Sequence, residues 1–146
     1  MSLATDSIFY DALSGSSDIV AAVSGRIYGT AIPLPDEDAE NTPAPYVIIT
    51  FDGLNNDSQS KDCPFEGEYD TVTIGIEVTA ETLTALHNLA HLIRATIRQY
   101  MEDNSTEVED YQFSAQAIQY DSLKPCYWQR LTWQCSTKND YEYGYY

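Results

Sequence analysis

Thr71-Val72-Thr73-Ile74-Gly75-Ile76-Glu77-Val78-Thr79 is the stretch on which the fold turns. It alternates without a break, so Val72, Ile74, Ile76 and Val78 lie on one side of an extended chain and Thr71, Thr73, Glu77 and Thr79 on the other. Such a strand packs one face on a core and turns the other to water or to a partner. A few residues later the period changes. Leu83, Leu86, Leu89, Ala90, Ile93, Ile97, Tyr100 and Met101 recur at spacings of three and four, which predicts an amphipathic helix from about Glu81 to Glu102, capped by Thr79 or Thr82.

Upstream, Tyr46-Val47-Ile48-Ile49-Thr50-Phe51-Asp52 is β-branched and aromatic and reads as an interior strand. Downstream, residues 111–120 and 127–135 both alternate, and Asp121-Ser122-Leu123-Lys124-Pro125 between them carries turn chemistry, which predicts an antiparallel hairpin. Two short helices lead the chain. Ile8, Phe9, Ala12 and Leu13 follow the capping residues Thr5 to Ser7, and a second helix starts after Ser16-Ser17 and stops at Gly25. The order is helix, helix, strand, strand, long helix, strand, strand. It predicts a two-layer α+β domain, a mainly antiparallel four-stranded sheet with the long helix and both short N-terminal helices on one face. That domain covers residues 1–137, and a Tyr-rich tail follows over 138–146. Two polar connections interrupt the pattern, a proline- and acid-rich one from Gly29 to Pro45 and a long one from Gly53 to Asp70.

The 146 residues suit one core, and 43% hydrophobic with 12% aromatic content is enough to fill it. Against 7 Lys+Arg stand 23 Asp+Glu, a formal net charge of -16. Phosphate backbones and anionic membrane surfaces are repelled, so stable nucleic-acid binding and membrane association are not expected. Apolar runs such as Val47 to Phe51 are far too short to span a bilayer, and no basic-then-apolar leader opens the chain. Cys63, Cys126 and Cys135 are odd in number and form no C-x-x-C pair, which points to small buried thiols in a reducing compartment.

Candidate chemistry is thin. His87 and His91 stand four apart on the long helix, so both rings can reach one cation, but Asn88 occupies the glutamate position of H-E-x-x-H and no third ligand is evident. With Arg94 and Arg98 they follow the offsets 0, 4, 7 and 11 and form one basic stripe on an acidic protein. That stripe is either a solvated flank paired locally with Glu81 or Glu102, or a contact surface whose complement is another copy of the chain. No serine has a G-x-S-x-G context, no cysteine has a signature that lowers its pKa, and no Gly-rich phosphate loop is present. Glu77 is the one acid with the prospect of burial on a strand face. Neither an enzyme nor a cofactor is expected. The tail, Asn139-Asp140-Tyr141-Glu142-Tyr143-Gly144-Tyr145-Tyr146, is either a loose terminus or a tyrosine-rich adhesive strip for a neighbour.

The short leading helices, the phrase Gly25-Arg26-Ile27-Tyr28, the proline-rich stretch and Ala44-Pro45-Tyr46-Val47-Ile48 come in a telling order. They are followed by the strand ending Ile76-Glu77-Val78, the helix with Ala90, Ile93 and Ile97, and the hairpin Trp128-Gln129-Arg130-Leu131-Thr132-Trp133. Over residues 5–137 the chain resembles the small phage tail-completion proteins, akin to tail terminators and head-tail joining proteins. It departs from them in the acidic insert Asp36 to Asn41, the Gly53 to Asp70 loop and the tail.

The resemblance implies a structural subunit that forms a ring, a hexamer on assembly, caps the tail tube and links it to the head connector. Its partners would be itself, the tail-tube protein and the head connector protein. It would be found in the host bacterial cytoplasm during assembly and then in the virion tail. The expected subunit interface comprises the stripe His87, His91, Arg94 and Arg98, the polar strand face with Thr71, Thr73 and Glu77, and the loop residues Asp57 and Lys61. Two other classes compete. One is an acidic soluble protein-binding module outside any virion, and the other a metal-dependent enzyme working through His87 and His91.

Overall fold

The alternating stretch is the middle of a sheet. In the computed structural model, which describes residues 2–29, 44–56 and 67–138, it belongs to the strand Tyr69–Ala80, flanked on both sides. Numbered in chain order, the strands are β1 Ile27–Tyr28, β2 Tyr46–Asn55, β3 Tyr69–Ala80, β4 Val108–Ala115, β5 Gln119–Asp121 and β6 Cys126–Lys138. The helices are α1 Thr5–Ser14, α2 Ser17–Val23 and α3 Leu83–Asp103, with a 3-10 turn at Ser2–Ala4 ahead of them. Asp36 to Asn41, Asp57, Lys61, Cys63 and Asn139 to Tyr146 lie outside the described residues.

The α+β class holds, but the sheet has six strands rather than four, in the order β1-β2-β3-β6-β4, with β5 also paired to β6. β1 runs parallel to β2 through Ile27↔Val47 and Tyr28↔Ile48, and the other pairs are antiparallel. Two additions have simple causes. A strand of two residues shows no period to read, and the stretch 111–120 divides because its pairing with β6 lapses after Gln116, whose amide still donates to Arg130 O at 3.0 Å, and resumes at Gln119. The turn between β5 and β6 is built as expected. Asp121 Oδ1 accepts from the amides of Leu123 at 3.0 Å and Lys124 at 3.3 Å.

The stretch from Gly53 to Asp70 is also shorter than its polarity suggests, because β2 and β3 extend into it as far as Asn55↔Thr71. Asn56 closes the end of this ladder. Its Nδ2 donates to Gly67 O and Tyr69 O, both at 3.1 Å, and to Asp70 Oδ1 at 2.7 Å, while its Oδ1 accepts from the Gly67 amide at 2.6 Å. A side chain thus does what hydrophobic pattern does elsewhere in the strand.

Val72, Ile74, Ile76 and Val78 are fully buried, with Val47 and Ile49 beside them from β2 and Leu131, Trp133 and Cys135 from β6. Leu86, Leu89, Ile93 and Ile97 of α3 and Phe9, Leu13, Ile19 and Val23 of the short helices close over the same face. Each fully buried aliphatic side chain contributes about 1.5–3 kcal/mol, so this layer holds the domain together. Helix ends follow the sequence closely. Thr82, not Thr79, caps α3 by accepting from the Ala85 amide at 3.1 Å, and Ser16 caps α2 by accepting from Ile19 at 3.4 Å. Thr79 is 4% exposed because its register neighbours on the sheet are Tyr46 and Trp128. Past α2 the chain turns through Ser24 and Gly25 in the left-handed conformation, at φ 52° and 75°. Among the described residues no helix is long and apolar enough to cross a membrane.

Candidate interaction surfaces

Strand alternation puts Thr71, Thr73, Gly75 and Glu77 on the face of the sheet away from the helices, next to Thr50 of β2 and Arg130, Thr132 and Gln134 of β6. Arg130 organises this face. Its Nη2 donates to Thr50 Oγ1 at 2.9 Å and to Asp52 Oδ2, and its Nη1 lies 3.6 Å from Glu77 Oε2. Thr50 Oγ1 in turn donates to Asp52 Oδ1 at 2.8 Å. Asp52 is brought there by the register shift in β2 between Phe51 and Gly53.

The guanidinium lies flat on the sheet because residue 75 has no side chain. A Cβ there would sit 2.5 Å from Arg130 Cζ and 2.7 Å from Asp52 Oδ2. Glu77 is therefore not a buried acid. Its side chain is 36% exposed, and it shares a cation with Asp52. Farther along the same face, the negative charge of Glu109, followed by burial and by the charge of Glu68, raises the Tyr69 phenol above its ordinary pKa.

The basic stripe lies elsewhere. His87, His91, Arg94 and Arg98 are all exposed on α3, the layer that covers the opposite face of the sheet. Three of them, His91, Arg94 and Arg98, join Ala95, Tyr111 and Phe113 around an open groove of about 400 Å³ between α3 and β4. The Arg94 guanidinium carbon stands 4.3 Å above the centre of the Phe113 ring, which attracts the cation through its electron-rich face. Behind Phe113 the aromatic contact continues inward, edge to face, to Trp133 at 5.0 Å and then to Phe9 at 5.5 Å. The groove thus opens directly from the core.

The local pairing of the stripe with Glu81 or Glu102 is not observed, since among the described residues neither arginine forms an ion pair. Nor do three or more potential metal ligands cluster anywhere among the described residues. The structure accordingly divides the expected interface residues into two surfaces on opposite sides of the sheet: Thr71, Thr73 and Glu77 on one, and the α3 stripe on the other. Asp57 and Lys61 lie outside the described residues.

Arg130, Asp52 and Gly75 on the first surface, and Tyr111 and Phe113 on the second, carry no pattern in the sequence that marks them as surface-site residues. Gly75 did leave a trace, a glycine inside an otherwise unbroken β-branched run, which marks a strand position where something approaches the backbone closely.

Together these elements define a small two-layer α+β protein with two separate polar surfaces. Comparison with solved structures places that fold in company. The chain is similar to one in the virion of a native gene transfer agent particle, with a TM-score of 0.63 and 12% identity over 92% of this chain and 94% of that one. It also aligns with the bacteriophage SPP1 gp17 protein at a TM-score of 0.48 and 18% identity, over 95% of this chain and 91% of that one. No family profile and no curated protein matches the sequence. What is shared with the gene transfer agent protein is the fold.

Proposed function

We propose that this chain is a structural subunit of a bacteriophage or prophage particle, one that caps the tail tube and links it to the head connector. The observation that supports this most is the fold shared, along nearly the whole of both chains, with a protein of a virion. The two separated polar surfaces add to it. A head-to-tail ring needs two different patches on each copy, one to give and one to receive, and a rotation that closes. The α3–β4 groove and the outer sheet face are two such patches, on opposite sides of the sheet.

On this reading copies of the chain assemble as a ring, a hexamer on the tube, formed in the host cytoplasm and retained in the virion tail. The tail-tube protein and the head connector are its other partners, and it acts by shape and charge rather than by catalysis. A net charge of -16 suits a passage for DNA, because like charge keeps the phosphate backbone from adhering to the wall. The test is electron microscopy of particles produced by cells lacking the gene. Over-long or headless tails are the expected result; tails of normal length that carry heads would overturn the reading.

A further inference from the structure

The groove between α3 and β4 has a second property. β4 is the last strand of the sheet order, so among the described residues nothing pairs with its outer edge. The Gln116 amide donates inward to Arg130 O, and the pairs Ser114↔Thr132 and Gln112↔Gln134 continue that phase. In an antiparallel ladder the intervening residues, Tyr111, Phe113 and Ala115, then direct their amides and carbonyls outward. The residues whose backbone is open are those whose side chains, Tyr111 and Phe113, floor the groove. An extended segment laid on this edge would gain main-chain hydrogen bonds, and every second side chain of it would face Arg94 and Arg98.

The chain itself contains a segment of matching pattern. In Asp140-Tyr141-Glu142-Tyr143-Gly144-Tyr145 the acids Asp140 and Glu142 fall on one side of an extended backbone and Tyr141, Tyr143 and Tyr145 on the other. Acids two apart on a strand are separated by about 7 Å, and arginines four apart on a helix by about 6 Å along its axis, so the two pairs are in register.

β6 ends at Lys138 beside the start of β4, where Val108 pairs with Thr137, along the inner edge of β4 and not the outer one. The outer edge is open to a neighbouring copy, and an exchange of tails around a ring satisfies every copy equally.

We propose that the α3–β4 groove receives the segment Asn139 to Tyr146 of a second copy as an added strand, with Asp140 and Glu142 against Arg94 and Arg98. This rests on the reading that copies of the chain meet, but its test does not depend on tails. A fluorescent peptide of sequence NDYEYGYY is titrated by anisotropy into the full-length chain carrying Asp140→Lys and Glu142→Lys, whose own tail no longer competes. Saturable binding is expected, weakened more than tenfold in the chain that carries Arg94→Glu and Arg98→Glu with Asp140 and Glu142 left in place, whose own tail is then like-charged to the groove, and restored there with the peptide NKYKYGYY. Arg98→Glu alone, at an exposed position without the Phe113 contact, gives a partial loss and covers the case in which the double variant misfolds.

Absence of binding, or binding indifferent to these charges, overturns the proposal while leaving the role in tail assembly standing. So does cross-linking of full-length chains at Asp140 and Arg98 that is confined to single chains. Abnormal tails in the absence of the gene together with an inert peptide would separate the two readings in the same way.

Discussion

Trp128 and Trp133 lie five residues apart on one strand and report two different environments. Trp133 faces the helices, is fully buried between Phe9 and Phe113, and among the described residues its indole N–H finds no hydrogen-bond acceptor. Trp128 faces the other way, opposite Thr79, and is only half-buried. On the Trp133 side apolar volume is what matters, and polar groups left unpaired there are a cost. Around Trp128 and Arg130 polar and charged groups are satisfied by one another and remain within reach of solvent or a neighbour. One alternating sequence thus writes a sealed face and an available one.

The contrast has measurable consequences. Trp133→Ala removes the centre of the aromatic stack and is expected to cost about 3–5 kcal/mol, read as a lowered urea midpoint; a loss below about 1 kcal/mol would show that the stack holds little. On the other face Gly75→Ala pushes a methyl group into the Arg130 guanidinium, and a loss of about 1–3 kcal/mol is expected. Combining it with Arg130→Ala should recover part of that loss, since the clash with the guanidinium is then gone and only that with Asp52 Oδ2 stays, whereas simple additivity would mean that residues 75 and 130 do not meet.

The smallest effect concerns Cys135. Burial, with the charge of Asp110 second, pushes its thiol up from 9.0 to about 12. The folded state therefore favours the protonated thiol, and this contribution is complete below pH 9 and declines as the unfolded thiol ionises above it. Between pH 8 and 10 the chain should lose about 1 kcal/mol more stability than Cys135→Ala does, as measured by urea unfolding at each pH.

β3 and α3 were legible because their evidence is periodic. Val72, Ile74, Ile76 and Val78 repeat every second residue and Leu86, Leu89, Ile93 and Ile97 every third or fourth, and each period identifies the buried face without knowledge of the partner. β1 and β5 contain too few residues to show a period. The candidate surfaces were harder for a different reason. Arg130 meets Asp52 across 78 residues of sequence, and the meeting depends on a register shift in β2 that no composition signals. The basic stripe was visible as a helix face, but its aromatic floor was not, since Phe113 reaches Arg94 only through the pairing of β4 with β6.

If this chain is an assembly subunit, the Trp133 side is closed before assembly and the other surfaces are closed by it. Hydroxyl-radical footprinting of the free chain and of the chain within purified particles reads both at once. Trp133 should remain unmodified in either state, while oxidation of Trp128, Tyr111 and Phe113 falls on assembly. Equal oxidation of those three residues, free and in particles, would contradict the assignment of these surfaces to contact.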